Sequence, residues 1–248
     1  QRGATERVEF ALSCGKSLQA FRARLIVLHA NRALQTLLLT AGADGLLRLD
    51  TENFYAPGFE SPSAEVPSDL TFVINESPKG GHGLATIGKD AVSFIEPAGL
   101  DSSLEFMLGA LKDAMEEQEK KKGSGMDQET TLSLMRTLAN HGALIHQQLA
   151  RQHTVTALEA ARRIQVVEAV DKAFFPAELI YSGKPPVPAA QLCPHALKAI
   201  EATDNEVHEA CEHRNDKHHV CPMAFWGFNK CVERHTATAS REHVLSVP

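Results

Sequence analysis

The stretch Arg163-Ile164-Gln165-Val166-Val167-Glu168 decides how the second half of this 248-residue chain is interpreted. Its run of β-branched side chains predicts a strand. Upstream, one stripe of apolar side chains at helical spacing predicts a helix that Asp127 caps: Leu134, Leu138, Ile145 and Leu149. A second strand-like segment, residues 174–181, follows the first one. Helix, strand and strand-like segment together predict an α/β arrangement for residues 127–248.

The first hundred residues have the pattern of β-structure. Apolar and polar side chains alternate in short runs, for example at Val8, Phe10 and Leu12 and again at Leu70 and Phe72. About seven such runs, separated by turn residues, predict a β-sandwich. We therefore expect residues 1–98 to form a sandwich-like accessory domain.

The pattern changes near Pro97. Ser102 and Glu105 fit a capping box, and apolar residues at helical spacing follow them. A charged stretch that ends in Gly-Ser-Gly, residues 116–125, predicts an exposed loop or linker. We assign residues 99–126 to a helix and linker between two domains, so the fold class expected for the whole chain is α+β.

Composition excludes several classes of protein. Hydrophobic residues make up 43% of the chain and charged residues 23%, as in soluble globular proteins. A net charge of −6 argues against binding to nucleic acid, and no apolar run is long enough to cross a membrane. No signal peptide is visible after Gln1. Five cysteines, four of them in the last quarter, do not suggest a disulfide framework, so we expect a cytoplasmic protein.

The C-terminal quarter carries a cluster of cysteine and histidine residues. Zinc takes four such ligands in a tetrahedron, and the metal would hold together a segment with few apolar residues. The predicted zinc ligands are Cys193, Cys211, His213 and Cys221. Three other histidines are open alternatives: His195, His218 and His219. The competing interpretation is a set of ordinary thiols beside surface histidines.

The aromatic block after this cluster, residues 225–228, holds the only tryptophan and predicts an anchor to the core. We expect residues 229–235 to form a helix with one solvated face, where Glu233 and Arg234 play a structural part. Elsewhere, His82 follows a glycine-rich segment, and Cys14 could serve as a nucleophile beside it. A glycine-rich hairpin turn explains the same residues without catalysis.

Two segments of the second half resemble the caspase-like CHAT domains of prokaryotes. The strand at residues 163–167 and the segment Phe175-Pro176-Ala177-Glu178-Leu179-Ile180-Tyr181-Ser182-Gly183 are similar to the opening of that domain, with Ala177 where the family has tryptophan. Residues 142–145 fit the helix before it. Residues 220–227, with Glu233-Arg234-His235, resemble an insert found in some members. The likeness covers about residues 138–236.

The resemblance implies a caspase-like fold, here as a partial domain, and a cysteine peptidase in its complete form. The family's catalytic histidine and cysteine lie downstream of the matched region, so no catalytic residue is assigned and the sequence does not decide whether this is an enzyme. We expect a regulatory or structural portion of a CHAT-like peptidase in a prokaryotic antiviral defence complex. Its partner would be another protein or the remaining peptidase part, in a hetero-oligomer. A zinc-stabilised adaptor for protein–protein interaction is the alternative, and a hydrolase that uses His82 is a third hypothesis.

Overall fold

Helices and β-sheets both contribute to the computed structural model of the protein, so the chain is an α+β protein, as predicted. The structure describes residues 21–29, 32–41, 47–54, 68–76, 82–88, 92–95, 100–120, 128–151, 153, 155–168, 175–196, 211–235 and 241–245. Over these ranges no helix combines the length and apolar character that crossing a membrane requires. The predicted strand at Val8–Leu12 and the residue Cys14 lie outside them.

The first sheet is antiparallel and joins the two ends of the described chain. Its strand order is β1-β2-β3-β11. The strands are β1 (Phe21–His29), β2 (Arg32–Ala41), β3 (Leu47–Phe54) and β11 (Arg241–Leu245). Because β11 pairs with β3, the C-terminal strand completes a sheet that begins near the N-terminus.

The second sheet is mixed and has the order β10-β7-β4-β5-β6. It consists of β4 (Leu70–Glu76), β5 (His82–Gly88), β6 (Val92–Ile95), β7 (Arg163–Glu168) and β10 (Cys231–His235). Strand β7, which the sequence predicts, pairs in parallel with both β4 and β10. Strands β4, β5 and β6 form an antiparallel meander.

The central strands of this sheet are buried on both faces, which explains their nearly continuous apolar sequence. Phe72 and Val166 point into the main core, and neighbouring residues of the same strands, such as Val73 and Val167, point to the opposite face. Ile26 of β1 packs against that opposite face. The first sheet therefore contributes to covering the second one.

Helices cover the main-core face of the second sheet. They are α1 (Leu100–Lys120), α2 (Gln128–Leu149) and α3 (Val155–Ala160). Leu138, Ile145 and Leu149 of the predicted stripe are buried on α2. Helix α1 extends to Lys120, so residues 116–120 of the predicted loop are helical. Lys112 and Glu116, one turn apart at 3.8 Å, form a favourable pair at the start of that extension.

The predicted boundary between a domain at 1–98 and another at 127–248 does not separate two sheets. Strands β4 to β6 fall in the first predicted domain, yet they share one sheet with β7 and β10 from the second. Asp69 fixes this junction, because its carboxylate accepts the backbone N–H groups of Arg162 and Arg163 at 2.8 and 2.9 Å. The described strands of residues 1–98 are therefore divided between the two sheets instead of forming a self-contained sandwich.

The described part of the segment between β7 and β10, residues 175–196 and 211–230, is mostly turns. It contains the short parallel pair β8 (Gln191–Leu192) and β9 (His219–Val220) and the short helix α4 (Trp226–Asn229). Trp226 is fully buried, as expected for an anchor. The predicted helix at 229–235 is wrong, since residues 231–235 form strand β10. Pairing with β7 across 68 residues determines this structure, and local periodicity does not reveal it.

Candidate metal centre

Two of the predicted zinc ligands lie side by side because they follow the two strands of the small parallel pair. Leu192 of β8 is in register with Val220 of β9. The next residues, Cys193 and Cys221, therefore follow the same end of the parallel pair. The backbone N–H of Cys193 donates to the carbonyl of Val220 at 3.0 Å. Both cysteines are buried, with 2% and 1% of their surface exposed.

The third cysteine, Cys211, approaches from a different turn, and all three cysteines share one backbone arrangement. In each case the carbonyl of the cysteine accepts the N–H of the third residue after it: Ala196, Arg214 and Ala224, at 2.9, 3.0 and 3.0 Å. Each cysteine is therefore the first residue of a tight turn. Two of the cysteines are followed by proline, Pro194 and Pro222, and this repeated Cys-Pro pair is the sequence signal of the shared geometry.

The sulfur atoms of the three cysteines converge. Cys211 Sγ lies 3.6 Å from Cys193 Sγ and 3.6 Å from Cys221 Sγ. Zinc–sulfur bonds of about 2.3 Å in a tetrahedron place neighbouring sulfurs about 3.8 Å apart. The spacing of the thiols therefore fits three corners of a zinc site. We call Cys193, Cys211 and Cys221 the thiol cluster.

Burial favours the protonated form of two of these thiols, Cys193 and Cys221. Burial raises the pKa of Cys193, and burial together with the neighbouring sulfurs raises the pKa of Cys221. Thiols bind metal as thiolates, so a bound cation would displace these protons and would supply the charge that the buried sulfurs then balance.

A tyrosine supports the thiol cluster from behind. The hydroxyl of Tyr181 accepts the backbone N–H of Cys221 at 3.2 Å, and both residues are buried. Burial raises the pKa of Tyr181 to about 12, so its hydroxyl stays neutral. Groups in this outer position orient the ligands of metal sites. The part played by Tyr181 was not predicted from the sequence.

His213, predicted as the fourth ligand, is placed with other partners. It belongs to one group with His195 and Glu212 and to another with Asp216 and His219, whereas the thiol cluster forms a group by itself. His213 lies in the 3₁₀ turn Glu212–Asn215, where its ring faces Glu212 and Asp216. Of the alternative histidines, His195 and His219 join these two groups, and His218 is exposed.

The hydrolase hypothesis requires the histidine His82 beside the cysteine Cys14. His82 is the first residue of β5, and Cys14 lies outside the described residues. The described cysteines, Cys193, Cys211, Cys221 and Cys231, are free thiols. Within the described ranges none of them is hydrogen-bonded to a histidine ring, the contact that activates a nucleophilic thiol.

Comparisons with known proteins leave the site to be interpreted from its own geometry. The arrangement that calls for explanation is the convergence of three cysteines from three turns. No protein-family model, curated protein or solved structure was found to match the chain.

Proposed function

We propose that the thiol cluster binds zinc and that the chain is a zinc-stabilised, non-catalytic portion of a CHAT-like, caspase-related protein. The single observation that carries the metal proposal is the meeting of three sulfurs at spacings that suit zinc. Three protein ligands leave one of zinc's four positions to water or to a residue outside the cluster. Cys193, Cys211 and Cys221 would hold the ion, and the ion would fix the turns between β7 and β10.

Contacts between the segments that resemble CHAT domains support the second part of the proposal. Ser182 N–H donates to the carbonyl of Ala224 at 2.9 Å, and Trp226 N–H donates to the carbonyl of Ile180 at 2.9 Å. The 175–183 and 220–227 segments are thus joined to each other, and Arg234 of β10 donates to Glu178 of the first segment. The zinc site would stabilise this pair of segments, on which a protein partner or the remaining peptidase part would assemble in a prokaryotic defence complex.

Protection of thiols from alkylation tests the zinc proposal. The full chain is kept reduced and is treated with iodoacetamide in excess zinc or in a chelator, and modified cysteines are mapped by mass spectrometry. We expect zinc to slow the alkylation of Cys193, Cys211 and Cys221 and to leave the exposed Cys231 unchanged, as an internal control. Equal alkylation rates of the cluster in zinc and in chelator would refute zinc binding there.

Stability provides a second readout. Free zinc at a thousand times its Kd raises the free energy of unfolding of a protein with one zinc site by about 4 kcal/mol. We expect chelation to destabilise the wild type by more than it destabilises Cys211→Ser, which lacks the thiol site. The matched control is Cys231→Ser, which should respond to zinc and chelator as the wild type does.

The adaptor alternative shares the zinc site and differs in its relation to peptidases. The observation that favours it is that no described cysteine is paired with a histidine. A thiol-directed peptidase probe on the full chain tests whether this chain has a nucleophile of its own. We expect no labelling beyond that of a denatured control. Labelling of Cys14 that disappears in His82→Ala would instead establish the hydrolase hypothesis.

A further inference from the structure

A second group of ligands lies on the segment that carries the thiol cluster. Asp216 Oδ2 faces two imidazole nitrogens, His219 Nδ1 at 2.7 Å and His213 Nδ1 at 4.0 Å. The two rings are 4.4 Å apart between centroids, and each of the three residues offers a ligand atom within 4.8 Å of the others. We propose that His213, Asp216 and His219 form a second metal site, which binds a divalent cation such as Zn²⁺ through nitrogen and oxygen. This proposal is independent of the proposed function.

The backbone holds the three residues in place without the cation. His219 lies in β9, in register with Gln191 of β8. Asp216 N–H donates to the carbonyl of His213 at 3.2 Å, and His219 N–H donates to the carbonyl of Asp216 at 3.1 Å. A site built from residues that are already fixed binds at a lower entropic cost.

The two carboxylate oxygens of Asp216 have different partners, and these partners orient the carboxylate. Oδ1 accepts the backbone N–H of His218 at 2.9 Å, and Oδ2 faces the imidazoles. That backbone hydrogen bond and the contact with His219 lower the pKa of Asp216. The hydrogen bond at Oδ1 therefore keeps Oδ2 directed at the two imidazoles, between which a cation would sit.

Glu212 lies on the other side of the His213 ring from Asp216, within ion-pair distance but beyond hydrogen-bond distance. While His213 Nδ1 faces Asp216, its Nε2 faces Glu212 Oε1 at 3.6 Å. Histidine ligands commonly bind through one nitrogen and present the other N–H to a carboxylate. This arrangement assigns Nδ1 of His213 as the ligand atom and Glu212 as a positioning residue.

The donor set indicates the kind of cation. Two imidazoles and one carboxylate suit Zn²⁺, Co²⁺ or Ni²⁺, whereas Ca²⁺ and Mg²⁺ prefer oxygen ligands alone. The side chains of His213, Asp216 and His219 are 22%, 36% and 25% exposed, so water can complete the coordination. This site contains no sulfur, and that difference from the thiol cluster makes the two sites spectroscopically separable.

Titration of the reduced, metal-free full chain with Co²⁺ under anaerobic conditions tests the proposal. We expect two equivalents to bind: one with thiolate-to-cobalt charge-transfer absorption, and one that adds cobalt d–d absorption without further charge transfer. Asp216→Asn combined with His219→Gln should remove the second equivalent and keep the charge-transfer band. Glu212→Gln should weaken the second equivalent about tenfold. His218→Gln, at the exposed neighbouring histidine, is the control and should bind both equivalents.

The outcomes separate this proposal from the zinc site of the thiol cluster. If the wild type binds one equivalent of Co²⁺ and shows no charge-transfer band, the thiol site is refuted and the nitrogen–oxygen site is supported. Binding of a single equivalent with charge transfer in the wild type would overturn the second site. Retention of two equivalents in the Asp216→Asn, His219→Gln variant would overturn it as well.

Discussion

Arg234 of β10 and Glu178 of the turn Ala177–Leu179 form a two-point ion pair, in which Nε donates to Oε1 at 2.8 Å and Nη2 donates to Oε2. The same guanidinium donates to Glu168 Oε1 at 3.1 Å and to the carbonyl of Phe175 at 2.8 Å. Burial raises the pKa of both carboxyls. At Glu178 the hydrogen bonds and the charge of Arg234, together with a backbone hydrogen bond, outweigh burial, and the pKa is lowered. At Glu168 burial prevails over the effects of Arg234, and the pKa stays raised. Glu178 is therefore the stronger partner of Arg234.

Replacing Glu178 by Gln should destabilise the protein by about 1–2 kcal/mol. The change leaves Arg234 with a neutral partner where it had a two-point charged one. The cost stays moderate because the Glu178 side chain is 38% exposed and solvent screens the pair. Urea unfolding of the wild type and Glu178→Gln at neutral pH measures the difference.

The control for this prediction is an ion pair on the surface of α1. Lys112 and Glu116 are 3.8 Å apart, and their side chains are 76% and 52% exposed. Glu116→Gln should cost less than about 0.5 kcal/mol. Equal effects of the two substitutions would mean that the Arg234–Glu178 pair contributes no more than a surface pair.

A glycine on α2 should be intolerant of any side chain. A Cβ on Gly142 would lie 2.1 Å from the carbonyl oxygen of Leu179 and 2.9 Å from the backbone nitrogen of Tyr181. Backbone atoms cannot rotate away, so α2 would have to separate from the Ala177–Leu179 turn. Gly142→Ala should therefore destabilise the protein by about 3 kcal/mol or more, as measured by chemical unfolding.

Gly109 of α1 provides the matched comparison. A Cβ there meets nothing within 4 Å. Because alanine loses less backbone entropy than glycine in a helix, Gly109→Ala should stabilise the protein by about 0.5–1 kcal/mol. Opposite signs for the same substitution in two helices would locate the effect in the contact between α2 and the turn. A loss at Gly142 that is no larger than 1 kcal/mol would contradict that contact.

His146 should make the protein less stable in mild acid. Burial lowers the pKa of this histidine, with Glu159 opposing the shift and Lys230 and Arg214 adding to it. Its ring meets the edge of Trp226. The unfolded chain therefore takes up a proton near pH 6.5 that the folded chain resists, so stability falls as the pH is lowered through that value. The free energy of unfolding measured between pH 7.5 and 5 should show this slope.

The variant His146→Gln isolates this contribution, because glutamine does not titrate. Its stability should decline less steeply with acid than that of the wild type, although His141 and His153, also buried in part, retain a share of the slope. Leu144→Gln places the same side chain at an exposed site of α2 and should keep the wild-type slope. An unchanged slope in His146→Gln would show that the pKa of His146 is the same in the folded and the unfolded chain.

Local patterns in the sequence were sufficient for the elements that depend on local structure. The β-branched run at 163–168 forms β7, and the apolar stripe of α2 faces the core, because strand propensity and helical periodicity are properties of neighbouring residues. Three of the four predicted zinc ligands, the cysteines of the thiol cluster, lie together in the structure. Thiols spaced along a polar segment with few apolar residues indicate where the chain needs another source of stability.

Features that depend on distant partners were not accessible in this way. The strand at 231–235 carries Glu233 and Arg234, which suit a solvated helix equally well, and only pairing with β7 makes it a strand. The junction at Asp69 joins residues 93 positions apart. The ring of His213 faces Glu212 and Asp216 from the 3₁₀ turn after Cys211, a placement that the order of residues does not reveal.

The hydroxyl of Tyr181 should link the stability of the core to zinc affinity. Tyr181→Phe removes the acceptor of the buried Cys221 N–H, which should cost about 1–3 kcal/mol in chelator. Loss of an outer contact also weakens metal binding about tenfold, which adds about 1.4 kcal/mol to the penalty in saturating zinc. Thermal or urea unfolding in both conditions gives the two penalties, and Cys231→Ser should show neither. A penalty of the same size with and without zinc would mean that Tyr181 supports the fold but not the metal site.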